Sequence, residues 1–437
     1  MAERADGYGS HLPTASLPHL HAPIAVLEWE IDGGTLPILL TREVRVARVL
    51  VRNDGRPLGW LHLVRPGQSI TEARLRRELV AQLPAATLSS IVHQQLDADA
   101  TSDTARTIPF ISVVVCTRDR TTSLAQCLDS LLALAYPSFE ILVVDNAPTT
   151  TATADLIARL RDHDPRAREL LRHVLELTPG LDWARNRGMH EARAGIVAYT
   201  DDDVRVDAQW LRGLQRGFTD DAVELVTGLV VPAELETDAQ VIFEDFYGGM
   251  GKGMRAVVFG QSSIDAHTRL GAHHLGVGAN LAIRRRWLEA LGGFDTALDV
   301  GTASHGGGDI DVMFRTLAAG GVARYEPSAI VHHFHRRDMP ALQRQLRDNG
   351  RAFGVYLLTR WSRQEERRSA VVRYAIGSWL HWMVRRVPRR LLQREKLPIP
   401  LQVWEWIGAM TAPWAWVTTY RHDRVVRRDR AATGQGA

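Results

Sequence analysis

From Ile24 the chain runs in extended apolar stretches: IAVLEWEI, then VRVARVLVRNDG, then RPLGWLHLV. Asn53-Asp54-Gly55 between the last two runs is a strong turn signal, so they predict a β-hairpin. Thr71 opens a helical pattern, with Glu72 in its first turn and Leu75, Leu79 and Leu83 in register. Residues 24–96 therefore predict a small α+β module. Residues 1–23 are rich in His, Pro, Gly and Ser and predict a disordered N-terminus. The small polar stretch DADATSDTART, 97–107, predicts a linker.

The pattern then changes. ISVVVC (111–116) is a continuous apolar run, as expected for a parallel strand covered on both faces. Leu124, Cys127, Leu128 and Leu131 then repeat at helical spacing. FEILVVD (139–145), RHVLEL (172–177) and GIVAYT (195–200) predict further strands, with a helix over about 154–162 between the first two. Strands alternating with helices of this length define an α/β class with a mainly parallel sheet, here over 108–338. Beyond Met339 the pattern is helical and rich in Arg and Trp, predicting a helical region over 339–437.

The chain of 437 residues is long enough for two or three domains. Its formal charge of +3 balances 53 basic against 50 acidic residues, which argues against a nucleic-acid coat. The only lysines are Lys252 and Lys396, so the basic side is almost all arginine. Two cysteines, Cys116 and Cys127, exclude a disulfide framework and a cysteine-built zinc site. The N-terminus has no basic segment followed by an apolar core, so no signal peptide is expected. The most apolar long stretch, Val403 to Tyr420, contains Glu405 and Pro413 and predicts a core or interfacial segment rather than a span. The expected location is the cytoplasm, with the inner membrane face as an option.

The chemistry concentrates at strand ends. Asp201-Asp202-Asp203 directly follows a buried strand, on the edge where open α/β sheets bind ligands. Three adjacent carboxylates repel one another unless a cation neutralises them, and carboxylate oxygens suit Mg²⁺ or Mn²⁺. A solvated acidic turn is the plainer alternative. Thr117-Arg118-Asp119 and Asp145-Asn146 end two earlier strands. Neither GxGxxG nor GxxxxGK[ST] is present, which leaves nicotinamide-type and P-loop sites unsupported.

Taken in order, ISVVVCTRDR, YPSFEILVVDNAP, WARNRGMHEARAGIVAYTDDDV, GANLAIRRRWLEALGGFD, GGGDIDVMFR and VHHFHRRD resemble family 2 glycosyltransferases of the GT-A fold, over about residues 110–338. The resemblance implies a nucleotide-diphosphate sugar lying across the strand ends. Thr117 and Arg118 would flank the base, Asp145 would contact base or ribose, and Arg185 and Asn186 would lie near diphosphate and sugar. Asp201, Asp202 and Asp203 match the family's DxD. Asp201 and Asp203 would reach ribose and metal, Mn²⁺ or Mg²⁺, with His333 as a further ligand and His335 second in line. In the family a Glu-Asp pair opens a helix after a Gly-rich loop, and its Asp is the base of an inverting transfer. Asp309 matches that base, but Gly308 stands where the Glu is expected. The plainer alternative makes Asp309 a helix N-cap, with Asp311 complementing the helix dipole, and both can hold because a helix start is a rigid place for a base.

Trp183, Asp311 and His335 are candidates for the acceptor side. Glycines between Phe243 and Gly260 suggest a loop that closes over the donor. Trp361, Trp379, Trp382, Trp404, Trp406, Trp414 and Trp416, with Arg385, Arg386, Arg389 and Arg390, fit either an anionic membrane surface or packing against the catalytic part or a second copy. The acceptor stays open among glycans, lipid-linked glycans and small molecules; nucleic acid is not expected. A nucleotidyltransferase is the first alternative, but CTRDR lacks the Gly and Lys such a loop carries. A non-catalytic carbohydrate- or partner-binding relative is the second.

Overall fold

A computed structural model describes residues 21–31, 33, 38–40, 44–64, 69–88, 108–260, 264–384 and 399–432. The expected linker over 97–107 and the Arg385–Arg390 cluster lie outside these residues, as does the expected disordered N-terminus up to residue 20. In the N-terminal part, β1 (Ile24–Glu30) runs parallel to β3 (Val46–Asn53), which pairs antiparallel with β4 (Arg56–Val64). Asp54 and Gly55 both take positive φ, 49° and 70°, the backbone that a two-residue hairpin of right-handed twist needs. A two-residue ladder joins β2 (Ile38–Leu39) to β5 (Ser69–Ile70). The Glu72–Gln82 helix starts where Thr71 accepts a hydrogen bond from the Arg74 N–H, and it buries Leu75 and Leu79 against Val49, Val51, Leu61 and Leu63.

The second sheet has nine strands: β6 (Ile111–Thr117), β7 (Phe139–Asn146), β8 (Leu171–Glu176), β9 (Ile196–Asp201), β10 (Val204–Val206), β11 (Val223–Pro232), β12 (Val257–Phe259), β13 (Asn280–Arg284) and β14 (Val322–His333). The pairings run β10-β14-β11-β13-β9-β6-β7-β8, with β12 beside β14. Strands β6, β7, β8, β9, β11 and β14 share one direction; β10, β12 and β13 oppose it. This is the mainly parallel, helix-flanked α/β sheet expected. Each face is covered: Val113 and Val115 of β6 join one core while Val114 joins the other. Apolar demand on both faces explains why the strand reads as an unbroken apolar run.

Two packing relationships fix the surroundings. Leu50 and Trp60 of the N-terminal sheet pack on Leu229, Val231, Tyr325 and Ile330 of β11 and β14. Arg52 donates to Glu28 at 2.8 Å and to Asp207 at 2.6 Å, tying the N-terminal sheet to the segment after β10. At the other end, the Met339–Arg363 and Ile399–Ala432 helices pack closely, because a Cβ at Gly350 or Gly408 would strike the facing backbone at Glu405 or Arg347. Val403 to Tyr420 lies inside the second of these helices, Pro413 included. Among the described residues, no helix is long and apolar enough to cross a membrane. The glycine-rich loop is shorter than its sequence suggests. Phe243 to Tyr247 finish the Asp238–Tyr247 helix, whose start carries a complete capping box between Thr237 and Gln240, and the loop begins at Gly248.

Candidate active site

The site lies at the carboxyl ends of the parallel strands. Asp201 ends β9, Thr117 ends β6, Asp145 lies at the end of β7 and His333 ends β14, so the sheet itself gathers them. The three aspartates are not equivalent. Asp202 turns inward, accepting from Thr117 Oγ1 at 2.7 Å and from Arg120 at 2.6 Å. Arg120 also donates to Asp203 at 3.0 Å. Asp203 Oδ1 lies 3.4 Å from His333 Nε2. Burial alone would raise the Asp203 carboxyl; His333, Arg120 and Arg336 outweigh it and hold the group below its usual value. Asp201 has only Arg185 nearby, at 3.9 Å. Burial, with Asp203, Asp202 and Asp309 adding to it and Arg185 opposing, pushes its carboxyl up to about 7. About a third of the side chain, 35%, still reaches solvent. Asp201, Asp203 and His333 each bring one ligand atom within 4.8 Å of the others. Burial lowers the His333 imidazole to about 4, which leaves it neutral, the form that ligates metals.

Arg185 forms the floor beside this group. It is 7% exposed, donates to Asp182 Oδ1 at 3.0 Å, approaches Asp201 Oδ1 at 3.9 Å and lies over the Phe294 ring. Asp182, one helical turn before Arg185, escaped the sequence reading. The i, i+3 spacing of the two on the Leu181–Glu191 helix was its only signal. Its Oδ2 is buried without a partner, and a Cβ at Gly308 would stand 2.6 Å from its Cγ. Burial pushes the Asp182 carboxyl well above the usual range, Asp299 and Asp309 adding to this and Arg185 opposing it. Gly308 is thus accounted for locally: the Asp182 carboxylate fills the space a side chain would take.

Asp309 sits at the start of the Gly308–Ala318 helix and accepts from the Gly278 N–H at 2.8 Å and the Ile310 N–H at 2.9 Å. Lys252 reaches the same region from the glycine-rich segment. Burial lowers its ammonium, and Asp309 opposes that shift. Asp145 is almost fully buried, with His173 at 3.3 Å from Oδ2 and no partner on Oδ1. Arg118 is exposed at the rim. Asn186 uses both ends of its amide on the Phe294 backbone, at 2.7 and 3.0 Å, and so clamps the turn after Gly293.

Three acceptor-side expectations change. Asp311 is fully buried between Arg315 at 2.6 Å and Arg360 of the Met339–Arg363 helix, so it joins helices and has no face toward a substrate. Trp183 lies beneath the C-terminal helix, 4.4 Å from the Arg430 guanidinium, in a cation–π contact. His335 points away from open space, with its Nδ1 on His333 Nδ1 at 3.0 Å and its Nε2 on Glu244 at 2.7 Å. His332, the third histidine of the cluster, bonds Glu28 of β1 instead of the site.

Residues 112–292 match the model of glycosyl transferase family 2, and the chain carries a domain of that family. Among curated relatives, the pre-mycofactocin glycosyltransferase of Mycobacterium tuberculosis is 27% identical over 230 residues, which covers 52% of this chain and 43% of that one. The glucosyl-dolichyl phosphate glucuronosyltransferase of Haloferax volcanii is 26% identical over 190 residues, covering 43% of this chain and 56% of that one. The chain thus spans about half the length of the curated relatives it matches. The mannosyltransferase PcManGT from Pyrobaculum calidifontis, solved with GDP-Man and Mn²⁺, overlays with a TM-score of 0.43 at 19% identity, over 80% of this chain and 84% of that one.

Proposed function

We propose that this protein is a metal-dependent, inverting glycosyltransferase that moves a sugar from a nucleotide-diphosphate donor to a hydroxyl acceptor. The observation that carries this reading is the convergence of Asp201, Asp203 and His333 at the strand ends, their ligand atoms within 4.8 Å of one another. Two carboxylate oxygens and one imidazole suit Mn²⁺ or Mg²⁺. Bound there, the cation would neutralise charge on the departing nucleoside diphosphate.

The chain's own residues take the other roles. The unpartnered Asp145 Oδ1 is available to a donor on base or ribose, with Thr117 and Arg118 on the same edge. Arg185 supplies a fixed positive charge beneath the sugar–phosphate junction. Asp309 is the base: two backbone N–H groups orient its carboxylate, and a carboxylate has lone pairs left to take the acceptor proton. Acceptors of the class expected are glycans, lipid-linked glycans or small molecules. The relatives' names, one of which includes a dolichyl phosphate, support sugar transfer in general and leave the acceptor open. The proposed location is the cytoplasm, with peripheral membrane contact through the C-terminal helices.

The test is a screen of the purified chain against UDP-, GDP- and dTDP-sugars with and without Mn²⁺. Thermal stabilisation and donor hydrolysis that both need Mn²⁺ are the expected outcome. Absence of any nucleotide-dependent stabilisation sinks the transferase reading.

A further inference from the structure

Residues 368–384 form one unbroken helical run, of which Ala375–Leu380 is a π-helix. The inner side of this run is packed. Val371 and Tyr374 are buried, the Trp379 ring lies 5.5 Å from that of Phe353, and Ser378 Oγ meets His267 Nε2 at 2.8 Å. The outer side carries Val372, Ile376, Leu380 and Val384, four residues apart and 47%, 59%, 49% and 49% exposed. Positions at that spacing share one face of a helix. The Gln402 amide donates to the Met383 carbonyl at 2.7 Å, which joins this run to the Ile399–Ala432 helix. That helix has an exposed apolar line of its own, through Val403, Met410 and Trp414. Single apolar residues on a surface need no explanation, but contiguous lines of them mark an interaction surface.

We propose that this face docks on an anionic lipid bilayer, with the helix over 368–384 lying in the plane of the interface. This rests on the peripheral-contact reading given above and adds to it a surface and a lipid class; it is independent of how the sugar-transfer site is read. Charge selects the occupant. The whole chain carries 53 basic and 50 acidic residues, but Arg367 to Val384 holds three arginines and no acid. In sequence, the next twelve residues add six basic residues against Glu395 alone. A second copy fits this badly. A two-fold contact sets the same patch on both sides, so positive surface would meet positive surface. An anionic headgroup layer supplies the opposite charge, worth about fivefold in affinity for each Lys or Arg near it. The apolar line then enters the boundary between headgroups and acyl chains.

The docking helix is fixed to the catalytic part. Val371 and Tyr374 belong to the same buried core as Val114 of β6 and Tyr199 of β9. A bilayer held on the outer side of the helix therefore meets the sheet in one orientation. Arg373 is exposed beside Val372, and Trp382 is exposed near the end of the run, where an amphipathic ring suits the headgroup level.

Flotation of the full chain with vesicles tests this. Vesicles of equal parts phosphatidylcholine and phosphatidylglycerol should carry the protein up the gradient, phosphatidylcholine alone should carry little, and salt near about 1 M should release it. Ile376→Ser combined with Leu380→Ser should weaken binding to the anionic vesicles by about 10-fold or more, and Arg373→Gln by about 5-fold. Val80, 69% exposed on the Glu72–Gln82 helix, is the control, and Val80→Ser should bind as the wild type does. Thermal melts identify a variant that fails to fold; the lipid and salt comparisons on the wild type and Arg373→Gln then decide. Undiminished binding by a folded double variant overturns this surface and leaves a peripheral contact elsewhere standing. Equal binding to neutral vesicles overturns the proposal. No flotation with either vesicle overturns the surface and the peripheral contact together, while Mn²⁺-dependent donor hydrolysis in solution decides sugar transfer separately. A concentration-dependent dimer in sedimentation that the double variant abolishes gives the face to a second copy and overturns the proposal.

Discussion

The Asp182 carboxylate occupies the space that a side chain at Gly308 would need: a Cβ at 308 would lie 2.6 Å from Asp182 Cγ, with Oδ2 nearer still. A carboxylate beside Asp309 is therefore delivered from the Leu181–Glu191 helix and not from residue 308. Gly308→Ala forces Asp182 to move in a packed setting, at an expected cost of about 1–3 kcal/mol in urea unfolding. Asp182→Ala makes room, so the double variant should lose less than the two single losses combined, a coupling of about 0.5 kcal/mol or more. Strict additivity would show that the two positions do not compete.

Asp309→Asn is nearly isosteric and keeps an oxygen for one of the two backbone N–H groups. It should leave Mn²⁺-dependent nucleotide binding within about twofold while transfer falls by roughly 10²–10⁴-fold, the usual range for loss of a general base. Asp311→Asn is its contrast. Asp311 pairs with Arg315 and Arg360 in the interior, so its loss should appear as about 3–5 kcal/mol of lost stability, from two arginines left short of a partner. Transfer that survives Asp309→Asn would remove the base assignment.

Arg185 is nearly enclosed, with Asp182 at 3.0 Å and Asp201 at 3.9 Å. Arg185→Met removes the positive charge and leaves the buried Asp182 carboxyl without its partner, at an expected cost of about 3–5 kcal/mol. Mn²⁺ should return part of that stability, because a cation between Asp201 and Asp203 restores positive charge beside these acids. A melting temperature in Arg185→Met that does not respond to Mn²⁺, in a wild type that does respond, would separate Arg185 from the metal group.

How much of this was legible in the sequence depends on how local each cause is. The strands of the parallel sheet declared themselves because both faces demand apolar residues, and the hairpin because Asp54-Gly55 supplies the positive φ of a tight turn. Asp201 and Asp203 were legible because three adjacent acids at a strand end have few structural reasons to exist. Asp182 and Glu244 were hidden, since each matters only through a side chain far away in sequence, Gly308 for one and His335 for the other. Asp311 misled for the same reason: its partner Arg360 lies on a helix whose packing cannot be read from the GGGDIDVMFR stretch. The apparent loop from Phe243 was a helix because Thr237 and Gln240 cap it, a signal outweighed by the glycines that follow.

The N-terminal module offers the clearest pH test, because one carboxylate joins it to the catalytic sheet. Glu28 bonds His332 and accepts from Arg52, which in turn holds Asp207. Burial alone would raise the Glu28 carboxyl, but the hydrogen bonds and charge of His332 and Arg52 overcome it and hold the group at about 2, against an ordinary 4.5. Because the folded value lies below the unfolded one, the stabilisation is fully present above about pH 4.5. It is lost as pH falls from there through about 2, below which the carboxylate is protonated in both states. Hydrogen exchange at β1 and β3 should therefore be faster in Glu28→Gln than in the wild type at pH 6, after correction for intrinsic rates. The difference should shrink steadily below pH 4.5. Glu72, in an exposed pair with Arg76, serves as control, and Glu72→Gln should show no such pH-dependent gap. A Glu28→Gln effect that grew on acidification would mean that the contact with His332 and Arg52 does not anchor the module.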